Sequence, residues 1–313
     1  MSIKKSVQNN TNLIKKIALE LGFVDCKISK ARFLKEEEKN YENWLKNGYQ
    51  GKMSYLEKNF DKRLDPTKLV PGAKSVISLS YNYYPKKKMK SKSKFLISKY
   101  AYGKDYHFVI KKKLYVLLER LKEKIGQING RVFVDSAPVH ERAWAKQSGI
   151  GWIGKNSLIL NKKYGSFFFL AEMITDLELV HDYPIKNYCG TCTRCIDNCP
   201  TNAIVKAQVI NASKCISYLT IELKDEIPNE FNNKLNDWIF GCDICQDVCP
   251  WNKFSIFHDE KDFILNNEIE KLSDKDWIEM TEETFKKIFK ASPLKRANYK
   301  GINKNLRAVL KNN

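Results

Sequence analysis

The sequence predicts an α+β fold with a cysteine-rich module and a helical tail, on three observations. Helix-like and strand-like segments follow one another irregularly through the first 180 residues, without the repeated strand–helix–strand rhythm of a doubly wound sheet. Two cysteine runs then fall between 181 and 255: Cys189-x2-Cys192-x2-Cys195-x3-Cys199-Pro200 and Cys242-x2-Cys245-x3-Cys249-Pro250. Beyond them the chain reads as short helices. The 313 residues suit about two domains by length, and the composition shifts divide them into 1–180, 181–255 and 256–313.

Each element has a local reason. Leu13, Ile14, Ile17 and Leu21 recur at helical spacing, so 11–21 reads as a helix that ends at Gly22. The segment VDCKI, with Cys26 at its centre, reads as a short strand, and Cys26 as a small buried side chain. Pro71-Gly72 punctuates the chain before a strand over 75–84. Leu114, Leu117, Leu118, Leu121 and Ile125 lie on one face of a helix over 111–125. The segment RVFVD, 131–135, reads as a strand ending in an acid, and 157–175 as a hairpin turning near Tyr164-Gly165. The glycine-rich GIGWIG, 149–154, has Trp152 at its centre. No G-x-G-x-x-G follows a strand, which leaves a dinucleotide site unsupported.

The cysteine spacing carries the most chemistry. The first run has the bacterial ferredoxin pattern, in which three thiolates hold one [4Fe–4S] cluster and the fourth crosses to a second. The second run is one cysteine short, and Cys215 supplies the missing ligand. Eight thiolates then serve two clusters: Cys189, Cys192, Cys195 and Cys249 one, and Cys199, Cys215, Cys242 and Cys245 the other. Zinc sites usually show paired CxxC knuckles without the x3-Cys-Pro ending. A disulfide framework suits much smaller chains. Reduced thiolates fit a cytoplasmic setting, the start MSIKKSVQNN lacks the apolar core of a secretory signal, and no apolar run approaches a membrane span.

The formal charge is +19, and lysine supplies 47 of the 55 basic residues. The distribution says more than the total. Lys86 to Lys113 holds eleven lysines and the single acid Asp105, while 284–313 holds nine basic residues and no acid. Such runs are solvated faces or contacts to a polyanion.

Four blocks, VDSAPVHERAWAKQSGIGWIGKNSLIL (134–160), RLDP (63–66), KYAYGKDYH (99–107) and CISYLTIE (215–222), together with this cysteine spacing, resemble the epoxyqueuosine reductase family over nearly the whole chain. The resemblance implies an N-terminal α/β unit that binds cobalamin and carries the chemistry. It also implies a two-cluster ferredoxin domain and a short C-terminal helical segment. The implied reaction reduces the epoxide of epoxyqueuosine in a tRNA anticodon to queuosine, the last step of queuosine biosynthesis, with an external electron donor and a monomeric enzyme. Asp135 falls at the family's proton-donor position, where it would need a pKa raised by burial to act near neutrality. The alternative is that it caps the following segment through Ser136 and Ala137.

Cobalamin leaves little local signature. Asp105-Tyr106-His107 only mimics a D-x-H-x-x-G cobalt-ligating motif, since Ile110 replaces the glycine, so His107 is not assigned as a ligand. Candidates to hold the cofactor are Lys58, Asp135, Arg142, Lys155, Asn156, Ser157, Ser217 and Asp243; His140, His181 and His258 form no convincing cluster. For tRNA the candidates are Lys224, Lys295, Arg296 and Lys300, with Lys304 and Arg307 beside them. Many family members continue beyond this point with further helices, which implies a shorter grip on tRNA here. Two other readings stay open. One is a reductive dehalogenase-like enzyme with the same cofactors. The other is a ferredoxin-type electron carrier, which would bind no corrinoid.

Overall fold

The computed structural model describes residues 3–311 apart from 88, 90 and 91. Lys88 and Lys90 of the lysine-rich run, the Met1–Ser2 start and the last two asparagines lie outside the described residues.

A four-stranded antiparallel sheet organises the N-terminal part, in the order Asp25–Lys30, Ser75–Asn82, Phe168–Thr175, Gly130–Phe133. Side chains alternate across it. Ile77, Leu79, Ala171 and Met173 meet the helices Ile3–Glu20 and Tyr106–Ile125, which offer Ile14, Ile17, Leu114, Leu117 and Leu121. On the other face Val76 and Ile174 pack with Ala143 and Trp144 of the helix Glu141–Ser148. That second face also takes Ser78 and, directly opposite it in register, Glu172.

Local chemistry moves several boundaries from those the sequence predicts. The second helix starts at Tyr106 rather than 111, because the Asp105 carboxylate accepts the His107 N–H and caps it. The 157–175 stretch is not a paired hairpin. Only Asn161 and Gly165 bridge across its turn; Ile159–Leu160 pairs with Trp152–Ile153, and Phe168–Thr175 inserts into the sheet. A strand that is buried on both faces needs two neighbours, and its own preceding segment offers only one. The strand Gly130–Phe133 stops short of Asp135, which sits past its end at φ 53°. In GIGWIG, Gly149 closes a helix at φ 83°, and a Cβ there would lie 2.2 Å from the Tyr183 carbonyl oxygen. These glycines serve close backbone packing.

A second core joins parts of the chain that the sequence divides. Phe95 and Ile97, Phe231 and Trp238, and Trp277, Phe285 and Phe289 bury one another, and Leu96–Ile97 pairs in parallel with Trp238–Phe240. The 256–313 segment therefore shares its core with 212–240 and with Phe95 and Ile97 of the N-terminal part. Cys26 is buried as expected, at 5% exposure. No helix among the described residues is long and apolar enough to cross a membrane.

Candidate active site and cluster sites

A cavity of about 410 Å³ opens where the strand Phe168–Thr175 begins and where the chain leaving Gly130–Phe133 delivers Asp135. Tyr100, Tyr106, Phe168 and Phe169 give it an apolar wall; Asp135, Glu141 and Asn156 supply polar groups. The sulfurs of Cys199, Cys215, Cys242 and Cys245 line the same space.

Asp135 faces the cavity from a left-handed backbone position, a conformation that costs a non-glycine residue about 1–3 kcal/mol and is kept where the surroundings enforce it. Its Oδ2 accepts the Tyr106 hydroxyl at 2.6 Å and lies 3.3 Å from Nε2 of His107. The other ring nitrogen of His107, Nδ1, is 2.7 Å from Asp105 Oδ1. Both ring nitrogens face carboxylate oxygens, so each needs a proton and the ring is an imidazolium. Burial alone would lower the His107 pKa, but the hydrogen bonds to Asp105 and Asp135 outweigh it and raise it to about 9. Burial likewise works to raise the Asp135 pKa; His107 and Tyr106 overcome it and hold the carboxyl below its ordinary value. This corrects the expectation of a raised Asp135: the proton rests on His107, one hydrogen bond away. The Asp135 side chain does not cap Ser136 or Ala137; the Ser136 N–H donates to the Val134 carbonyl.

Behind Asp135 lies a second acidic pair. The Asp135 N–H donates to a Glu141 carboxylate oxygen. Glu141 in turn meets Glu172, which is fully buried and has neither oxygen hydrogen-bonded to a donor. Two carboxylates in contact away from water cannot both stay ionised. Burial, and then the charge of Asp135, raise Glu141 to about 8; burial and Glu141 raise Glu172 well above the usual range. The pair therefore keeps a proton at neutral pH. Acids with raised pKa values favour folding most below their unfolded value of 4.5, and that contribution is lost as pH rises through about 8. Glu172→Gln, whose amide donates to Glu141 without titrating, is expected to be more stable than wild type in urea at pH 8, with the difference shrinking toward pH 5. An equal difference at both pH values would show that no proton is shared.

The eight cysteines of the two runs and Cys215 gather into two groups. Cys199, Cys215, Cys242 and Cys245 line the cavity just described, and Cys189, Cys192, Cys195 and Cys249 line a second recess of about 280 Å³. Each group exchanges one cysteine between the runs, Cys249 one way and Cys199 the other. Donors aim at the sulfurs: the Ala203 N–H lies 3.3 Å from Cys199 Sγ and the Trp152 indole N–H 3.5 Å from Cys189 Sγ. Among the described residues, no three His, Cys, Asp or Glu side chains converge tightly enough for a single metal ion. Four thiols spread around a larger group suit a cubane's corners. Burial pushes Cys195 up to about 11 and raises Cys215 and Cys249 as well, so cluster assembly there releases protons.

The candidate cofactor residues do not all converge. Asp135, Arg142, Asn156 and Ser217 line the catalytic cavity, and Ser157 adjoins it, its backbone carbonyl accepting from Arg142 at 2.7 Å. Lys155 points to the second recess, where its amine donates to the Gly190 carbonyl at 2.9 Å. Lys58 is exposed and lines neither space. Asp243 is 1% exposed and fully engaged by Ser98 and by the backbone and amine of Lys99, as a structural anchor. His140 packs edge-on against Tyr41 with ring centres 4.5 Å apart, away from the cavity. Glu141 and Glu172 are not singled out by the sequence. There His107 suggests only a cobalt ligand, set aside because Ile110 replaces the motif's glycine, and neither it nor Tyr106 reads as a proton partner of Asp135.

Of the basic residues, Lys295 and Lys300 are exposed. Arg296 makes a two-pronged contact with Glu222, at 3.0 and 2.8 Å, and stands over the Tyr55 ring. Its positive charge also helps to lower the Asp135 pKa. Lys224 donates to the carbonyls of Ile221 and Arg296. Lys304 is not available to a phosphate: it is 3% exposed and donates to the Leu219 and Leu223 carbonyls at 3.0 and 2.6 Å.

Fold and site bring two groups of four cysteines together, one of them lining the cavity that Asp135 faces. Residues 63–136 match the model of the domain described as epoxyqueuosine reductase QueG, DUF1730, and residues 188–252 that of the 4Fe-4S double cluster binding domain. The chain is 57% identical over 306 residues to the epoxyqueuosine reductase of Cyclobacterium marinum, covering 97% of this chain and 98% of that one. It belongs to the epoxyqueuosine reductase family. The Vibrio cholerae member is 40% identical, over 96% of this chain and 82% of its own length. A solved epoxyqueuosine reductase, described with a tRNA-Tyr epoxyqueuosine-modified stem loop, superposes with a TM-score of 0.90 at 33% identity, covering 96% of this chain and 80% of that one.

Proposed function

We propose that this chain reduces the epoxide of epoxyqueuosine in a tRNA anticodon to the cyclopentene of queuosine, using two [4Fe–4S] clusters and cobalamin. One observation carries the reading: the Asp135–His107 proton pair and the four sulfurs of the inner cysteine group open into the same cavity. Removing the epoxide oxygen as water takes two electrons and two protons, and this cavity receives both.

The cavity's residues fit a corrin. Its wall is apolar and aromatic, while Asn156 and Arg142 stand at its polar edge. The Ser157 hydroxyl is buried without a partner, a donor left over for a ring fringed with amides. Arg142, Asn156, Ser157 and Ser217 would hold the group. When bound, cobalamin supplies a strong nucleophile and pairs the electrons that clusters deliver singly. The chain does the rest. Cys199, Cys215, Cys242 and Cys245 place the inner cluster against the reaction space. Tyr106 and His107 fix the Asp135 carboxylate, and the His107 proton passes through Asp135 to the oxygen that becomes an alkoxide as the ring opens. The Glu141–Glu172 pair holds a further proton beside the same loop. Tyr100, Phe168 and Phe169 wall the apolar side of the same space.

For tRNA, Lys295, Lys300 and Arg296 present exposed charge, with Lys224 donating to the Arg296 carbonyl. Binding should weaken linearly in log salt, by about 0.7–0.9 per phosphate neutralised. Lys295→Ala with Lys300→Ala is expected to lower affinity for the anticodon stem loop and to flatten that slope by about two contacts' worth, leaving iron content unchanged. Identical slopes would reduce these lysines to a solvated face. The function itself is tested by anaerobic turnover of epoxyqueuosine-containing stem loop, followed as loss of one oxygen by mass spectrometry with and without added cobalamin. A dehalogenase-like enzyme would leave the RNA unchanged, and a plain carrier would bind no corrinoid.

A further inference from the structure

The outer cysteine group is surrounded by a surface unlike that around the catalytic cavity. Tyr188, Trp251 and Phe254 line its recess side by side, with ring centres 6.0 Å apart in each successive pair. Phe254 is 59% exposed, and Tyr183, at the start of the exposed run 183–188, is 81% exposed. The three chain segments that build the recess, 153–170, 183–196 and 249–258, contain six basic residues and no acid. Five of the six, Lys162, Lys163, Lys186, Arg194 and Lys253, are exposed, and none of the five forms an ion pair among the described residues. The Lys162 amine stands 3.8 Å from the centre of the Tyr188 ring. The acids that border these segments, Asp182, Asp197, Asp247 and Asp259, are engaged by Lys15, the Thr193 hydroxyl, Lys99 and Lys86 in turn. Asn156 is buried between the two cysteine groups: it lines both spaces and donates to the Cys245 carbonyl.

We propose that this face docks a small acidic one-electron carrier protein. The carrier's negative rim meets the lysines, and its redox centre comes over Tyr188, Trp251 and Phe254. The proposal rests on the reading of Cys189, Cys192, Cys195 and Cys249 as holders of the outer cluster. The geometry sets the order of events. The inner group faces the catalytic cavity, which tRNA must cover, so electrons enter by the outer group. At each encounter the carrier would give one electron to the cluster that Cys189, Cys192, Cys195 and Cys249 would hold, and two encounters would serve one epoxide. Asn156 lies between that group and the inner one. Opposite charge steers such encounters and makes their rate fall with salt, while the apolar centre sets the docked pose. The charge pattern alone would also attract RNA; the separate recess and the outer sulfurs favour a carrier.

The test is anaerobic stopped-flow reduction of the holoenzyme, followed by loss of visible cluster absorbance. Reduced flavodoxin serves as the acidic probe and reduced methyl viologen as a cationic small-molecule control. Wild-type reduction by flavodoxin is expected to slow as salt rises. Lys162→Glu with Arg194→Glu, and separately Lys253→Glu, are expected to slow it by about tenfold or more. Reduction by methyl viologen and affinity for the stem loop should stay at wild-type values. Unchanged flavodoxin rates in variants with full iron would overturn the docking face alone. Loss of stem-loop affinity with unchanged flavodoxin rates would reassign the face to RNA. A wild-type protein that assembles fewer than about eight irons would overturn the cluster assignment, and the docking proposal with it.

Discussion

Asp135→Asn is expected to fold, assemble both clusters and lose turnover by about 10²–10⁴, the usual contribution of a general acid. Asparagine fills the same volume and its carbonyl oxygen still accepts from Tyr106, so the loop keeps its shape. An amide cannot take a proton from His107 and release it into the cavity. The substitution also removes one of the two anions that hold the His107 pKa near 9, so the imidazole should titrate lower. Two readouts follow: turnover under saturating reductant, and the His107 titration by NMR. In wild type the proton is on His107 below about 9, so activity should fall as pH rises through that value. The stability gained from the ion pair should be complete below the unfolded histidine value of 6.5 and vanish over the same upper range. At the acid end the lowered Asp135 pKa keeps the pair intact until pH falls below the ordinary carboxylate value of 3.8. Near wild-type turnover in Asp135→Asn, with an unshifted His107, would remove the pair from the mechanism.

Much of this was legible in the sequence because the relevant signals are local. The helical spacing of Leu114, Leu117, Leu118 and Leu121 places them in the core, and cysteine spacing alone divides the sulfurs as the two recesses do. What stayed hidden depends on distant segments meeting. Glu172 reads as one acid in an otherwise apolar strand; only sheet register puts it under the helix that carries Glu141. His107 lies two residues after a capping aspartate in sequence, but its second carboxylate arrives from 28 residues further on. Asp243 and Lys304 show the converse. As a polar residue beside a cysteine and a lysine in a basic tail they look available, and each is buried to satisfy backbone groups of another segment. Net charge was a poor guide for the same reason: Arg296 and Arg307 in the acid-free tail find Glu222 and Glu226 across the fold.

Cys215→Ala is expected to remove the inner cluster and with it nearly all turnover, while the outer cluster survives. Cys215 lies outside both runs, at the start of the helix Ile216–Ile221. Burial raises its thiol pKa, opposed by the backbone N–H groups of Ser217 and Tyr218. It completes the group with Cys199, Cys242 and Cys245, and three thiolates leave one cubane iron without a protein ligand. Iron should fall from about eight toward about four per chain after anaerobic reconstitution. The remaining four should behave as one cluster that small reductants still reduce, because Cys189, Cys192, Cys195 and Cys249 are untouched. Electrons would then stop one cluster short of the cavity that holds Asp135. Cys26→Ala is the matched control: that thiol is 5% exposed in the sheet, among Ile28 and Leu79, and should keep full iron. Full iron in Cys215→Ala, or iron loss in Cys26→Ala, would break the division of the sulfurs into these two groups.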